Sequence, residues 1–119
     1  MSVPPRLARL PGIELPGGLR VAEAVSRRAR LLGLARLEDL PEGWALHLPR
    51  CRSVHTFGMR FALDLVFLDG AGRAVRVDPA VPAGRLVWCR GARSVLETRA
   101  GESERFLAAG APLATLTAG

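Results

Sequence analysis

The chain of 119 residues contains no lysine, tyrosine, asparagine or glutamine, and only two cysteines and two histidines. All 17 of its basic residues are therefore arginine, set against 11 acidic residues for a net charge of +6. Arginine stays protonated in proteins, so none of this positive charge titrates away near neutral pH. Avoidance of asparagine and glutamine is a habit of heat-adapted proteins, and alanine, glycine, arginine and proline are also what a GC-rich genome encodes; both causes are expected here, with a thermophilic source. Long apolar runs are missing too. The longest are about four residues, such as Leu65-Val66-Phe67-Leu68, against the ~20 of a membrane span and the ~7 to 15 of a signal-peptide core. Pro4, Pro5, Pro11 and Pro16 disfavour a presequence helix. No internal repeat or low-complexity tract is present. The expectation is one soluble, cytoplasmic domain spanning residues 1–119, with residues 1–18 a proline-rich extension. A composition of 49% hydrophobic and 24% charged residues argues against disorder.

What is there reads mostly as short strands. Val21, Val25, Ala29 and Leu32 recur at helical offsets, with Arg20, Arg27 and Arg30 on the opposite side and Gly33 as a C-terminal stop, which predicts a helix of about three turns from Leu19 onward. After the Pro41-Glu42-Gly43 turn, Trp44, Leu46 and Leu48 alternate with Ala45 and His47 as in a strand. Phe61 to Leu68 is apolar on both faces except for Asp64, so it should be a strand covered on both sides. Asp69-Gly70-Ala71-Gly72 then turns the chain into a hairpin carrying Val75 and Val77. Leu86 to Cys89 reads as another strand, Ala92 to Leu96 as a helical turn or two before Gly101, and Leu113 to Thr117 as a closing strand. The fold class is mainly β with some α+β character. The architecture expected is a compact β sandwich or barrel with one helix in the N-terminal half and a short C-terminal helix.

The segment Cys51-Arg52-Ser53-Val54-His55-Thr56-Phe57-Gly58-Met59-Arg60 and its continuation through Asp64 to Asp69 resemble the signature of a prokaryotic family known as domain of unknown function 192. The resemblance runs forward to Cys89-Arg90-Gly91-Ala92-Arg93-Ser94-Val95-Leu96-Glu97 and back to Gly33-Leu34-Ala35-Arg36, covering about residues 20–117. It implies a mainly β, sandwich-like fold, and no reaction, substrate or cofactor. One departure stands near the end, where Gly110-Ala111-Pro112 replaces the family's Gly-Asp.

Several groups are candidates for chemistry. Cys51, His55 and Cys89 would begin a zinc site if one sheet edge gathered them, but a structural site wants four ligands and would have to recruit His47 as well. Cys51 and His55 would alternatively pair as nucleophile and base with Asp64 orienting the imidazole, although no nucleophile elbow or oxyanion-hole glycine run surrounds Cys51. A Cys51–Cys89 disulfide and simple packing are the blander readings. Asp64 must find hydrogen bonds if buried, with Arg60, Arg93, Thr56 or a covering loop as partners, and is expected to pin the 56–60 loop to the sheet. Glu97 is expected to tie the short helix to an arginine. Arginine clusters raise nucleic acid as a partner, but most of the aromatic residues fall at apolar strand positions and no helix-turn-helix or RNA-binding strand signature appears. The favoured reading is a module without catalysis that binds a small ligand or a protein partner, away from any membrane. Its surface would comprise Cys51, His55, Met59, Arg60, Asp64, Cys89 and Arg93, with no cofactor identified.

Overall fold

The computed structural model describes residues 3–26, 34, 37 and 39–110. Its centre is the strand whose two faces are both apolar, β5 (Leu63–Leu68), all six residues of which are buried. Side chains alternate along a strand, so Leu63, Leu65 and Phe67 enter one core layer while Val66 and Leu68 enter the other. β5 pairs antiparallel with β6 (Ala74–Val81) on one side and with β8 (Ser94–Arg99) on the other. β8 pairs antiparallel with β3 (Trp44–Pro49), β3 runs parallel to β2 (Leu19–Glu23), and β2 closes a hairpin with β1 (Gly12–Leu15). The sheet order is β1-β2-β3-β8-β5-β6, and its ends do not pair with each other, so it is not closed into a barrel. A second sheet contains β4 (Ser53–His55) and β7 (Leu86–Trp88).

Among the described residues, the two sheets and two short helices divide the core. On one face of the large sheet, Leu46, Leu48, Leu65, Phe67 and Val95 meet Leu7 of α1 (Pro5–Ala8) together with Val54, Met59 and Cys89 from the small-sheet unit. On the other face, Val21, Ala45, Val66 and Leu96 pack with Phe106 of α2 (Ser103–Ala108) and with Leu15 and Leu19. The β5–β6 hairpin forms where turn chemistry predicts it. The Asp69 carboxylate accepts from the Ala71 and Arg73 backbone N–H groups at 2.9 and 3.0 Å. No helix among the described residues is long and apolar enough to cross a membrane.

Two elements differ from the sequence-based expectation. The helix predicted from Leu19 begins instead as strand β2, because Leu19, Val21 and Glu23 also alternate and both flanks find partner strands; its residues 27–33 lie outside the described residues. The helical turn predicted over Ala92 to Leu96 is the start of β8, a central strand with Ser94 to Thr98 buried. A strand covered on both faces shows no alternation of polar and apolar residues, and so mimics a short helix. The short C-terminal helix forms later, as α2. The closing strand predicted at Leu113 to Thr117 lies outside the described residues.

Candidate functional site

The small sheet joins the two segments that the sequence singled out. Its register sets Ser53 opposite Trp88, Val54 opposite Val87 and His55 opposite Leu86. Backbone bonds extend the union at both ends: the Cys89 N–H donates to the Arg52 carbonyl at 2.9 Å, the Cys51 N–H to the Arg93 carbonyl at 3.0 Å, and the Thr56 N–H to the Arg85 carbonyl at 2.8 Å. Thr56 closes the far end. Its buried hydroxyl donates to the Pro82 carbonyl at 2.7 Å and accepts from the Arg85 N–H at 2.8 Å.

Alternation then sorts the side chains. Val54 and half-buried Val87 face the core, with buried Met59 and Cys89 beside them. Ser53, His55, Leu86 and Trp88 face outward, and Phe57 follows two residues after His55. The exposures are large for apolar groups: 72% for Leu86, 60% for Trp88 and 56% for Phe57. The His55 and Phe57 rings stack with centroids 5.8 Å apart and planes inclined by 21°. Arg76 of the neighbouring β6 donates to both carboxylate oxygens of Asp78, at 2.8 and 3.1 Å, and to the Trp88 carbonyl at 3.1 Å. Residues 50–61 and 82–93 together hold six arginines (Arg50, Arg52, Arg60, Arg85, Arg90 and Arg93) and no acidic residue. All six are exposed.

The residues proposed from the sequence are brought near one another in part. His55, Arg60 and Arg93 are exposed, Cys51 is half-buried, and Met59 and Cys89 are buried. Neither cysteine is in a disulfide, so the Cys51–Cys89 bridge expected as one alternative is not formed. The Cys51 thiol donates to the Ser53 carbonyl at 2.9 Å. Among the described residues, no three His, Cys, Asp or Glu side chains gather as a metal ion would require. His47 lies in the other core layer, beside Ala45 and away from the small sheet, with its Nδ1 at 2.8 Å from Glu23 Oε2.

Asp64 is likewise turned away from the small sheet, which separates it from Cys51 and His55. It is buried, as expected, but it does not pin the 56–60 loop. One carboxylate oxygen accepts from the Ala80 N–H at 2.9 Å, and the other from the Gly101 and Ser103 N–H groups at 3.0 and 3.2 Å. Burial pushes this carboxyl up, but the bonds from Ala80, Ser103 and Gly101 outweigh it and hold the group below the usual carboxylate range. Gly101 (φ 90°) and Ala80 (φ 49°) both adopt left-handed backbone to present those N–H groups. Glu97 also departs from expectation: it ties no helix to an arginine. It projects from β8 between Leu46 and Leu65 into the apolar layer, where its Oε1 has no hydrogen-bond partner among the described residues and burial pushes its carboxyl up to about 8.

Sequence reasoning missed the outward aromatic and aliphatic groups. The run Arg85-Leu86-Val87-Trp88-Cys89-Arg90 shows that one face of a strand is apolar in either phase, but which face meets water depends on the Val54–Val87 pairing. The arginines at both ends of this run were the available signal.

Comparison with known proteins bears on the fold. The profile of the domain of unknown function 192 family, described as an uncharacterized ACR, matches residues 14–114. A crystal structure from Sinorhizobium meliloti, of a protein provisionally called a transcription regulator, is similar with a TM-score of 0.65 and 20% identity, over 80% of this chain and 82% of that one. A protein of unknown function from Novosphingobium aromaticivorans is similar with a TM-score of 0.64 and 14% identity, over 88% and 92% of the two chains. No curated protein matches the chain. At these identities the two structures bear on the fold alone.

Proposed function

The chain belongs to the domain of unknown function 192 family, and from its surface we propose that it is a binding module whose contact surface is the outer face of the β4–β7 sheet. One observation carries this reading. Among the described residues six large hydrophobic side chains are exposed, and three of them gather here: Leu86 and Trp88 on the small sheet and Phe57 just beyond the end of β4, its ring stacked on His55. Single exposed hydrophobic residues are ordinary on a protein surface, whereas a contiguous group rimmed by charged residues marks an interaction site. The exposed arginines of the two segments that build the sheet, Arg52, Arg85 and Arg90 among them, supply that rim. The inward-facing Met59 and Cys89 support the sheet from below, and His55 belongs to the contact surface itself.

The test uses a probe that is both aromatic and anionic. The dye bis-ANS, titrated into the full chain, should bind saturably at one site and quench Trp88 emission in a Trp44→Phe background. Trp88→Ala or Leu86→Ala should weaken it by roughly tenfold, with melting temperature kept within about 2 °C. Dye binding indifferent to both substitutions, or melting temperatures lowered as for core residues, would remove the proposal. So would a dimer that Leu86→Glu converts to monomer, because the face would then be covered by a second copy.

A further inference from the structure

Resting on that reading and sharpening it, we infer that the outer face of the β4–β7 sheet binds single-stranded nucleic acid, with bases stacked on Trp88 and Phe57 and the phosphate backbone held by Arg52, Arg85 and Arg90. Proteins that hold single strands combine aromatic platforms, on which any base can stack, with a positively charged track for the backbone. Both parts are present on one surface here. Trp88 and Leu86 stand two residues apart on β7, roughly 7 Å along the strand, about twice the spacing of stacked bases at roughly 3.4 Å. Leu86 lies opposite His55, whose ring packs on one side of Phe57. The row Trp88, Leu86, His55, Phe57 is thus a continuous strip with aromatic groups towards both ends.

Charge selects the partner. In backbone position, Arg52 precedes β4 opposite Cys89, Arg85 precedes β7 opposite Thr56, and Arg90 follows Trp88 by two residues; all three are exposed, and they stand at the two ends of the small sheet, within reach of a strand laid along it. The two segments that build the unit contribute no carboxylate. The acid beside the strip, Asp78, is held in a two-point ion pair by Arg76, which at the same time anchors the Trp88 carbonyl. A peptide of acidic residues alone would satisfy the arginines but leave the indole and phenyl faces without partners, and a duplex keeps its base faces stacked inside. A single strand satisfies both.

The test is fluorescence anisotropy of labelled oligo(dT) and oligo(U), about 12 nucleotides long, with the full chain. Binding should weaken as salt rises from about 50 to about 200 mM, with a log–log slope near −2 for three phosphate contacts. It should quench Trp88 emission and exceed the affinity for a duplex of the same length. Trp88→Ala and Phe57→Ala should each weaken it by roughly tenfold, while the Arg52→Gln, Arg85→Gln pair should flatten the salt slope by more than one unit. Thermal melts establish that each variant is folded, and quenching in the Trp44→Phe background reads Trp88 without altering the contact face. The inference is overturned by absence of binding at low salt, by duplex preference, by affinity indifferent to both aromatic substitutions, or by binding to phosphatidylserine vesicles without binding to oligonucleotide. If bis-ANS binds and the oligonucleotides do not, the contact face stands and its nucleic-acid ligand falls; if neither binds, both fall.

Discussion

Asp64 and Glu97 lie on adjacent central strands, point into opposite core layers, and are shifted in opposite directions. The difference lies in their partners, since Asp64 collects three backbone N–H groups while Glu97 Oε1 has none among the described residues. The consequences for stability have opposite sign. Asp64 contributes stability above the carboxylate's ordinary value of 3.8 that is lost as pH falls through its lower folded value. Glu97 is held neutral, so stability is complete below 4.5 and declines as pH rises towards about 8, a range in which only the unfolded chain gives up the proton. Glu97→Gln should therefore be nearly neutral at pH 4.5 and stabilising at pH 8, on the order of 2–4 kcal/mol. Urea denaturation at the two pH values measures this, and an equal effect at both would show that Glu97 is ionised in the folded protein. The sequence shows that Asp64 is a buried acid needing partners. It does not show that the partners are backbone groups, because they come from turns at Ala80 and Gly101 that only the folded sheet brings to β5.

At the scale of elements, the small sheet is only three residues deep on each strand and depends on Thr56 to fix its end. Thr56→Val keeps the shape but strands the Pro82 carbonyl and the Arg85 N–H. It should cost roughly 1–3 kcal/mol, with Thr56→Ser recovering most of it. Thermal melting gives the energy, and loss of hydrogen-exchange protection at the Arg85 amide locates it. Protection unchanged in the valine variant would mean that the pairing of β4 with β7 suffices alone. The β5–β6 hairpin is legible in the sequence because its turn residues and apolar strand point to the same structure. β2 and β8 are not, since their spacing suits helix and strand alike and distant pairing decides between them.

Across the whole molecule, stability should be uneven. Strands β3, β8 and β5 are central, with both neighbours in place and nearly every residue buried, whereas the small sheet keeps one face in water. Native-state hydrogen exchange should find the slowest amides at Leu46, Leu65 and Leu96 and markedly faster ones at Ser53 and Trp88. Uniform protection would contradict this division. The proposed contact surface would then ride on the more deformable part of the domain, supported by a rigid one. At this scale the sequence concentrates its candidate groups in the Cys51–Arg60 and Cys89–Arg93 segments, and the fold joins the strands they flank. Which of their side chains face water is set by the pairing of β4 with β7, and the sequence does not reveal it.

The eight-residue β6 forms one end of the large sheet, with Val75 and Val77 exposed. An edge of this kind invites another chain to add a strand and begin a fibre. Pro79 offers no N–H to such a neighbour, Arg76 and Asp78 place paired charges on the same strand, and irregularities in the pairing with β5 bend it. The protein thereby keeps apolar side chains at an open margin while discouraging self-templated aggregation. That protection matters most when the chain is crowded and newly made.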